Sequence, residues 1–261
     1  MSDPFLSLFA RHKPVIAVLH TGPTPGAAST VSPRCAADRA ATETRLLKEL
    51  GVDGFLIENA HDAPALAETD MGPEVAAYMT RVAAEVKRHA GRLPVGVRVM
   101  DGAGQTSLAV ALAAGCDFVR VDGWERADGK AARFHRYRHS LDADALPVLA
   151  GLRPGDTDDV ERLLPDLEDS RPDAVAVLGP TVGQTPGTDT VARACEISRR
   201  PLFVGGGIHA DNFLDFVDYA DGFLVGSGLK EGGTWRAPVS EGRVRSLVGA
   251  VEYARGQEVR S

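Results

Sequence analysis

Residues 201–230 read PLFVGGGIHADNFLDFVDYADGFLVGSGLK. Two short apolar runs, 202–204 and 223–225, each lead straight into glycines, Gly205-Gly206-Gly207 and Gly226-Ser227-Gly228. A strand ending in bare backbone presents free N–H groups, and a helix start beyond it adds the positive end of its dipole. Both favour an anion. Between the runs, Asp211 to Tyr219 is long enough for about two helical turns. Two such strands in succession are the usual setting of the phosphate site in a (β/α)8 barrel, which calls for six more strands upstream.

Six more are there. Four apolar runs begin with proline, Pro14-VIAVLH, Pro94-VGVRVM, Pro147-VLAGLR and Pro201-LFVGGG. The four that alternate with them begin with aspartate, Asp53-GFLIEN, Asp117-FVRVDG, Asp173-AVAVLG and Asp221-GFLVGS. Proline suits a strand's first position, where its missing N–H costs least, and aspartate suits the tight turn entering a strand. The alternation, four times over, predicts four βαβα quarters. Strands are expected near 14–20, 53–59, 94–100, 117–123, 147–153, 173–179, 201–207 and 221–227.

Helical patterns fill the gaps. Ser32-Pro33 opens the first and Gly51 closes it, and Pro73 and Gly91 bound the second. Gln105–Ala114, Lys130–Leu141, Asp156–Leu164, Thr190–Arg199, Asp211–Tyr219 and Ser240–Tyr253 supply the other six. Residues 1–13 form a leading segment over the barrel floor. No linker or shift in composition interrupts the pattern, so the expected architecture is α/β, one single-domain (β/α)8 TIM barrel across 1–261. The 261 residues match the roughly 250 that such a barrel needs.

A formal charge of −7 argues against a polyanion covering the surface, and no basic cluster or aromatic platform points to nucleic acid. The apolar runs are strand-sized, too short for a membrane span. The first residues, MSDPFLSLFARHK, lack the basic-then-apolar order of a signal peptide. Cys35, Cys116 and Cys195 are odd in number and far apart, which suits a reducing cytoplasm. Self-association into a homo-oligomer is compatible with all of this.

The strand period of two sorts the side chains. Val15, Ala17 and Leu19 and their counterparts face the helices, while every strand-borne charge falls inside. The last inward residues, in strand order, are His20, Glu58, Met100, Asp122, Arg153, Leu178, Gly207 and Gly226. Active sites of such barrels lie at this C-terminal end. Glu58 and Asp122 are the acid/base candidates, with Arg98 and Arg120 one layer below setting their charge. His20 is a candidate proton carrier. The same residues also read as buried ion pairs and a hydrogen-bonded histidine that merely fill a core. Arg98, Arg120 and Arg153 are candidate substrate contacts. On the mouth loops, His61, Asp62, Asp101 and Trp124 are within reach of a ligand. Gly206, Gly207, Gly226, Ser227 and Gly228, with Lys230 four residues beyond Gly226, form the expected phosphate site. A short extra helix within 228–240 would complete it. No P-loop or dinucleotide fingerprint occurs, and no cofactor is expected. Glu58, Asp122 and His20 could together take a divalent metal, but no local ligand motif calls for one.

His20-TGPTPG, Gly51-VDGFLIEN followed by HDAP, Phe118-VRVDG, Gly205-GGIHADN and Ala220-DGFLVGSGLKEGG together resemble the BtpA/SgcQ family over most of the chain. The matching positions include His20, Pro25, Gly26, Glu58, Asn59, Asp62, Pro64, Arg120, Gly207, Asn212, Asp221, Gly226 and Lys230, so the resemblance adds Asn59 to the candidate substrate contacts and keeps Asp62 among them. It implies a TIM barrel related to ribulose-phosphate-binding enzymes. One branch is named for photosystem I biogenesis and another sits among sugar-metabolism genes. Two departures stand out. Strand three carries Arg98-Val-Met-Asp101-Gly-Ala where the family tends to an Asn-x-x-Arg-Asn-Asp run. Strand five carries Ala150-Gly-Leu-Arg153-Pro-Gly where it tends to Asp and Lys-His. The expectation is an enzyme acting on a phosphorylated sugar or phosphoribosyl-like molecule, by lyase, isomerase or glycosidic-bond chemistry. The alternatives are a non-catalytic assembly or regulatory factor, and a barrel for an unphosphorylated intermediate.

Overall fold

The computed structural model describes residues 3–258, apart from 28, 30, 63–65, 101 and 127. Eight parallel strands close a barrel in strict chain order, each hydrogen-bonded to the next and the eighth to the first. They are β1 (Val15–His20), β2 (Gly54–Glu58), β3 (Val95–Arg98), β4 (Phe118–Asp122), β5 (Val148–Leu152), β6 (Ala174–Leu178), β7 (Leu202–Gly205) and β8 (Gly222–Val225). The helices are α1 (Pro33–Glu49), α2 (Pro73–Ala90), α3 (Gly104–Ala114), α4 (Lys130–Ser140), α5 (Thr157–Asp169), α6 (Thr188–Ile197) and α7 (Glu241–Glu258). Ser32 caps α1 through its side chain, which accepts the N–H of Cys35.

Two apolar clusters follow from the strand alternation. Val15, Ala17, Leu19, Phe55 and Ile57 and their equivalents pack against the helices. Ile16, Val18, Leu56, Phe118, Leu149, Ala174, Ala176, Phe203 and Leu224 fill the interior. The leading segment plugs the floor. Phe5 lies edge-on to Phe118 and Phe203, with ring centroids 5.2 Å away in each case, and a single 3-10 turn, Leu6–Leu8, carries it there.

The strand-opening aspartates do more than turn the chain. The carboxylate of Asp53 accepts the N–H of Val15 at 2.9 Å. Asp117 does the same for Val95, Asp173 for Val148 and Asp221 for Leu202, each at 2.8 Å. The backbone N–H of each aspartate returns a bond to the carbonyl of that same residue. Each quarter is thus clamped at the floor, where the N–H after the proline would otherwise lack a partner. Arg255 of α7 joins the first clamp, reaching Asp53 at 2.7 Å and the carbonyls of His12 and Lys13.

Three helical expectations need correction. No helix follows β7: only a 3-10 turn, Phe213–Asp215, spans the expected 211–219. Here Phe213 and Phe216 are buried and Asn212 ties itself to Gly207 and His209, so side-chain anchors replace helical repeats. The expected short helix within 228–240 is absent too, replaced by 3-10 turns at Ser227–Leu229 and Glu231–Gly233. The helix expected to stop at Leu164 runs to Asp169 with Pro165 inside it, because the buried Leu164 and Leu167 hold its face to the barrel. Tertiary packing outweighs the lost hydrogen bond there.

Candidate functional site

Four charges close a ring at the C-terminal end of β2, β3 and β4. The register sets Glu58 beside Arg98 on neighbouring strands. Arg120 Nη1 donates to Glu58 Oε1 at 2.7 Å, and its Nη2 meets Asp122 Oδ1 at 3.1 Å. Arg98 completes the ring, reaching Glu58 Oε2 at 3.3 Å and Asp122 Oδ2. Burial would raise the pKa of Glu58, but Arg98 and then Arg120 outweigh it and hold the carboxyl below its usual range. Asp122 is likewise held well below its usual range, its burial outweighed by Arg120 and Arg98. Both carboxylates stay ionised and fully engaged. Among the described residues no three His, Cys, Asp or Glu side chains converge as a metal site, so Glu58, Asp122 and His20 do not form the metal set considered from sequence.

His20 is a different kind of group. Its Nδ1 lies 3.2 Å from the carbonyl of Trp235. A carbonyl only accepts, so Nδ1 carries the proton and Nε2 keeps its lone pair. That nitrogen faces Gly226, where an added Cβ would lie 3.3 Å from it. Burial pushes the imidazole down to about 4, opposed by the Glu58 carboxylate and assisted by the Lys230 ammonium. At neutral pH His20 is therefore an uncharged imidazole with one open basic nitrogen.

This has a measurable consequence. The folded pKa lies below the free value of 6.5, so between about pH 4 and 6.5 the unfolded chain binds more protons at this position. The stability contribution is complete above about pH 6.5 and is lost as pH falls towards 4. In urea unfolding, wild type is expected to lose about 2 kcal/mol more than His20→Gln between pH 7 and 4.5. Equal losses in the two proteins would refute the neutral assignment.

Trp235 forms a cover over this corner. Its carbonyl also accepts from Lys230 Nζ at 3.1 Å, and its ring sits 4.7 Å from His61 and under the Arg236 guanidinium. Lys230 is 2% exposed, and burial lowers its pKa.

The glycine-ended strands form a cleft of about 440 Å3. Gly207, Ser227 and Gly228 line it, together with Gly183 to Thr185 of the β6–α6 loop, Asn212 and Arg243. The N–H groups of Gly206 and Gly207 make no hydrogen bond to the described residues. Glycine is required here by the chain itself. Gly206 and Gly207 have φ of +89° and +63°, and a Cβ on them would lie 2.4 Å from the carbonyl oxygen of Gln184 and 2.6 Å from that of Gly183. Beside this cleft a second, central cavity holds His20, Glu58, Arg120, Arg153, Gly226 and Trp235, and it shares Gly183, Gly207 and Ser227 with the first.

The remaining sequence candidates fall elsewhere. Asp62 is a clamp: its carboxylate accepts Thr24 N at 2.7 Å, Thr24 Oγ1 at 2.6 Å and Asn59 Nδ2 at 2.7 Å. Asn59 passes the link on, accepting Met100 N at 2.8 Å. Trp124 is 3% exposed and packs on Phe134 and His135. Asp101 and Pro64 lie outside the described residues. Sequence reasoning passed over Arg243, whose Nε donates to the Gly228 carbonyl at 2.9 Å. A signal existed, because an arginine in the first turn of a helix opposes the dipole unless an anion is near. Trp235 and the 183–185 loop carried no local signal.

A closed parallel (β/α)8 barrel whose mouth joins a bare-backbone cleft to an ionisable cavity defines the class. Within it, the chain belongs to the BtpA family, whose model matches residues 11–253. It is 31% identical to an Archaeoglobus fulgidus protein over 250 residues, covering 92% of this chain and 99% of the relative. It is 29% identical to the photosystem I biogenesis protein BtpA of Synechocystis, covering 93% and 89%. Similar solved structures include (S)-3-O-geranylgeranylglyceryl phosphate synthase from Thermoplasma acidophilum in complex with sn-glycerol-1-phosphate, with a TM-score of 0.64 at 13% identity over 96% of this chain and 97% of that one. N-(5'-phosphoribosyl)anthranilate isomerase from Pyrococcus furiosus gives 0.61 at 12% over 93% and 100%. These two likenesses establish the fold. No helix among the described residues is long and apolar enough to cross a membrane.

Proposed function

We propose that this protein is an enzyme acting on a phosphorylated sugar or phosphoribosyl-like molecule, by acid/base chemistry at the barrel mouth. The observation that carries this is the adjacency of the two cavities, which share Gly183, Gly207 and Ser227 in their linings. A phosphate on the free N–H groups of Gly206 and Gly207, flanked by Gly226, Ser227, Gly228 and Arg243, would leave its carbon skeleton beside His20. Lys230, buried nearby with no carboxylate at ion-pair distance among the described residues and Glu43 only farther off, adds positive potential.

Proton transfer falls to His20 Nε2, the open base of the cavity. The oxygens of Glu58 and Asp122 are already engaged by Arg98 and Arg120, so these carboxylates enter as fixed charges. Glu58 favours the imidazolium that forms when His20 takes a proton. Lyase, isomerase and glycosidic-bond reactions all use such a step.

Ribose 5-phosphate, ribulose 5-phosphate and glucose 6-phosphate at millimolar concentration test the reading by thermal shift. A ligand at a hundred times its Kd stabilises the native state by about 2.7 kcal/mol. At least one ester is expected to raise the melting temperature, and Arg243→Gln to remove the rise. No rise with any of them would sink the reading. A second reading, a non-catalytic assembly factor, draws on the name of the Synechocystis relative and on the self-saturated charge ring. It predicts a co-purifying protein partner whose capture survives His20→Gln.

A further inference from the structure

Arg153 stands between two cavities. It lines the central one with His20, Glu58 and Arg120. It also lines a cleft of about 390 Å3 on the β3–β5 side, with Arg98, Asp122, Arg126 and Lys130. Its Nη1 donates to the Gly179 carbonyl at 2.7 Å. Among the described residues no carboxylate lies within ion-pair distance of it, because Asp122 and Glu58 are both taken by Arg98 and Arg120. The ring below is already neutral, so Arg153 is surplus positive charge at the mouth. Arg153 is exposed at the mouth, yet partial desolvation and then the like charge of Arg120 lower its pKa, and the Asp122 and Glu58 carboxylates oppose this without reversing it.

A second observation points the same way. Arg120 is 3% exposed, yet its Nε donates to nothing among the described residues. Buried donors are nearly always satisfied, and an unpaired one next to a cavity marks where a ligand atom or water belongs. Arg120 lines the same central cavity as Arg153. The free donor and the surplus cation are thus available to one oxygen-rich group.

We infer that the substrate carries a second anionic group, a carboxylate or a second phosphate, received by Arg153 and by Nε of Arg120 on the β4–β5 side of the mouth. The ligand class is then a phosphate ester with two anionic ends. This rests on the reading of the β7–β8 cleft as a phosphate site, and it adds what the opposite end of the molecule must be.

Matched pairs test it by isothermal titration calorimetry. Glucose 6-phosphate against 6-phosphogluconate adds a carboxylate, and ribulose 5-phosphate against ribulose 1,5-bisphosphate adds a phosphate. In at least one pair the doubly anionic member is expected to bind about tenfold or more tighter, since a charged hydrogen-bonded contact is worth at least that factor. Which pair responds names the second group. Arg153→Gln should reduce the ratio to near one. Arg162→Gln, which removes an equal charge from an exposed position on α5, should leave it intact. If both monoesters bind and both ratios are near one, the inference falls while the phosphate reading stands. A ratio that survives Arg153→Gln, or that Arg162→Gln abolishes as well, also overturns it. Absence of any binding removes the phosphate reading and this inference together.

Discussion

Glu58→Gln is expected to destabilise the fold by about 3–5 kcal/mol, the cost of breaking a buried ion pair from one side. The change removes one of two negative charges that compensate Arg98 and Arg120, whose side chains are 8% and 4% exposed. The guanidinium groups cannot escape to water, and the amide offers one acceptor where the carboxylate offered two. Asp122→Asn should cost less, because its side chain is 20% exposed and water can screen the loss. Urea unfolding at pH 7 measures both. A Glu58→Gln protein within 1 kcal/mol of wild type would show that the ring contributes little net stability. Any loss of turnover in that variant would then be chemical in origin. The usual design, in which a conservative amide change tests catalysis with folding untouched, is unsuited to this position.

Gly228→Ala is the second large effect. A Cβ there would stand 1.8 Å from the carbonyl oxygen of Ile208 and 2.9 Å from its carbon. The obstacle is backbone, so neither a rotamer change nor a small tilt relieves it, and the turn after β8 must move away from the turn after β7. The expected loss is about 3 kcal/mol, at the upper end for overpacking. It should come with loss of any phosphate-ester thermal shift, since both turns line the cleft. Gly226→Ala is the internal control. Its Cβ would meet the His20 ring at 3.1 Å, a side chain able to give way. That variant should keep stability within about 1 kcal/mol while moving His20. Equal destabilisation by the two would mean that close backbone contact is not what selects glycine at 228.

The barrel was legible because one pattern repeats eight times. Period-two alternation separates Ile16, Val18 and Leu56 inside from Ala17, Leu19 and Ile57 outside, and no local propensity competes with it. Where a single local cue carried the expectation, packing decided instead. Pro165 reads as a helix stop, yet Leu164 and Leu167 hold the helix through it. Residues 211–219 read as helix, yet Phe213 and Asn212 pin them as a turn. At the mouth, strand parity placed His20, Glu58, Arg98, Arg120 and Asp122 together. It could not reveal that the carboxylates are saturated by arginines while the imidazole is open. That distinction depends on side-chain partners up to 215 residues apart, such as Trp235 against His20. Likewise Asp62 reads as a loop carboxylate free for a ligand, and only its three contacts in space show it tying loops together.

The floor clamps divide the molecule's labour. Each joins partners 19 to 38 residues apart in sequence, and all four lie at the end of the barrel remote from the cavities. Such near-range closures can form early, before the chain has sealed β8 against β1. They also leave the opposite rim without a share in holding neighbouring strands in register at their starts. A lineage can therefore rewrite the mouth ends of the strands while the hoops that keep the staves aligned are untouched.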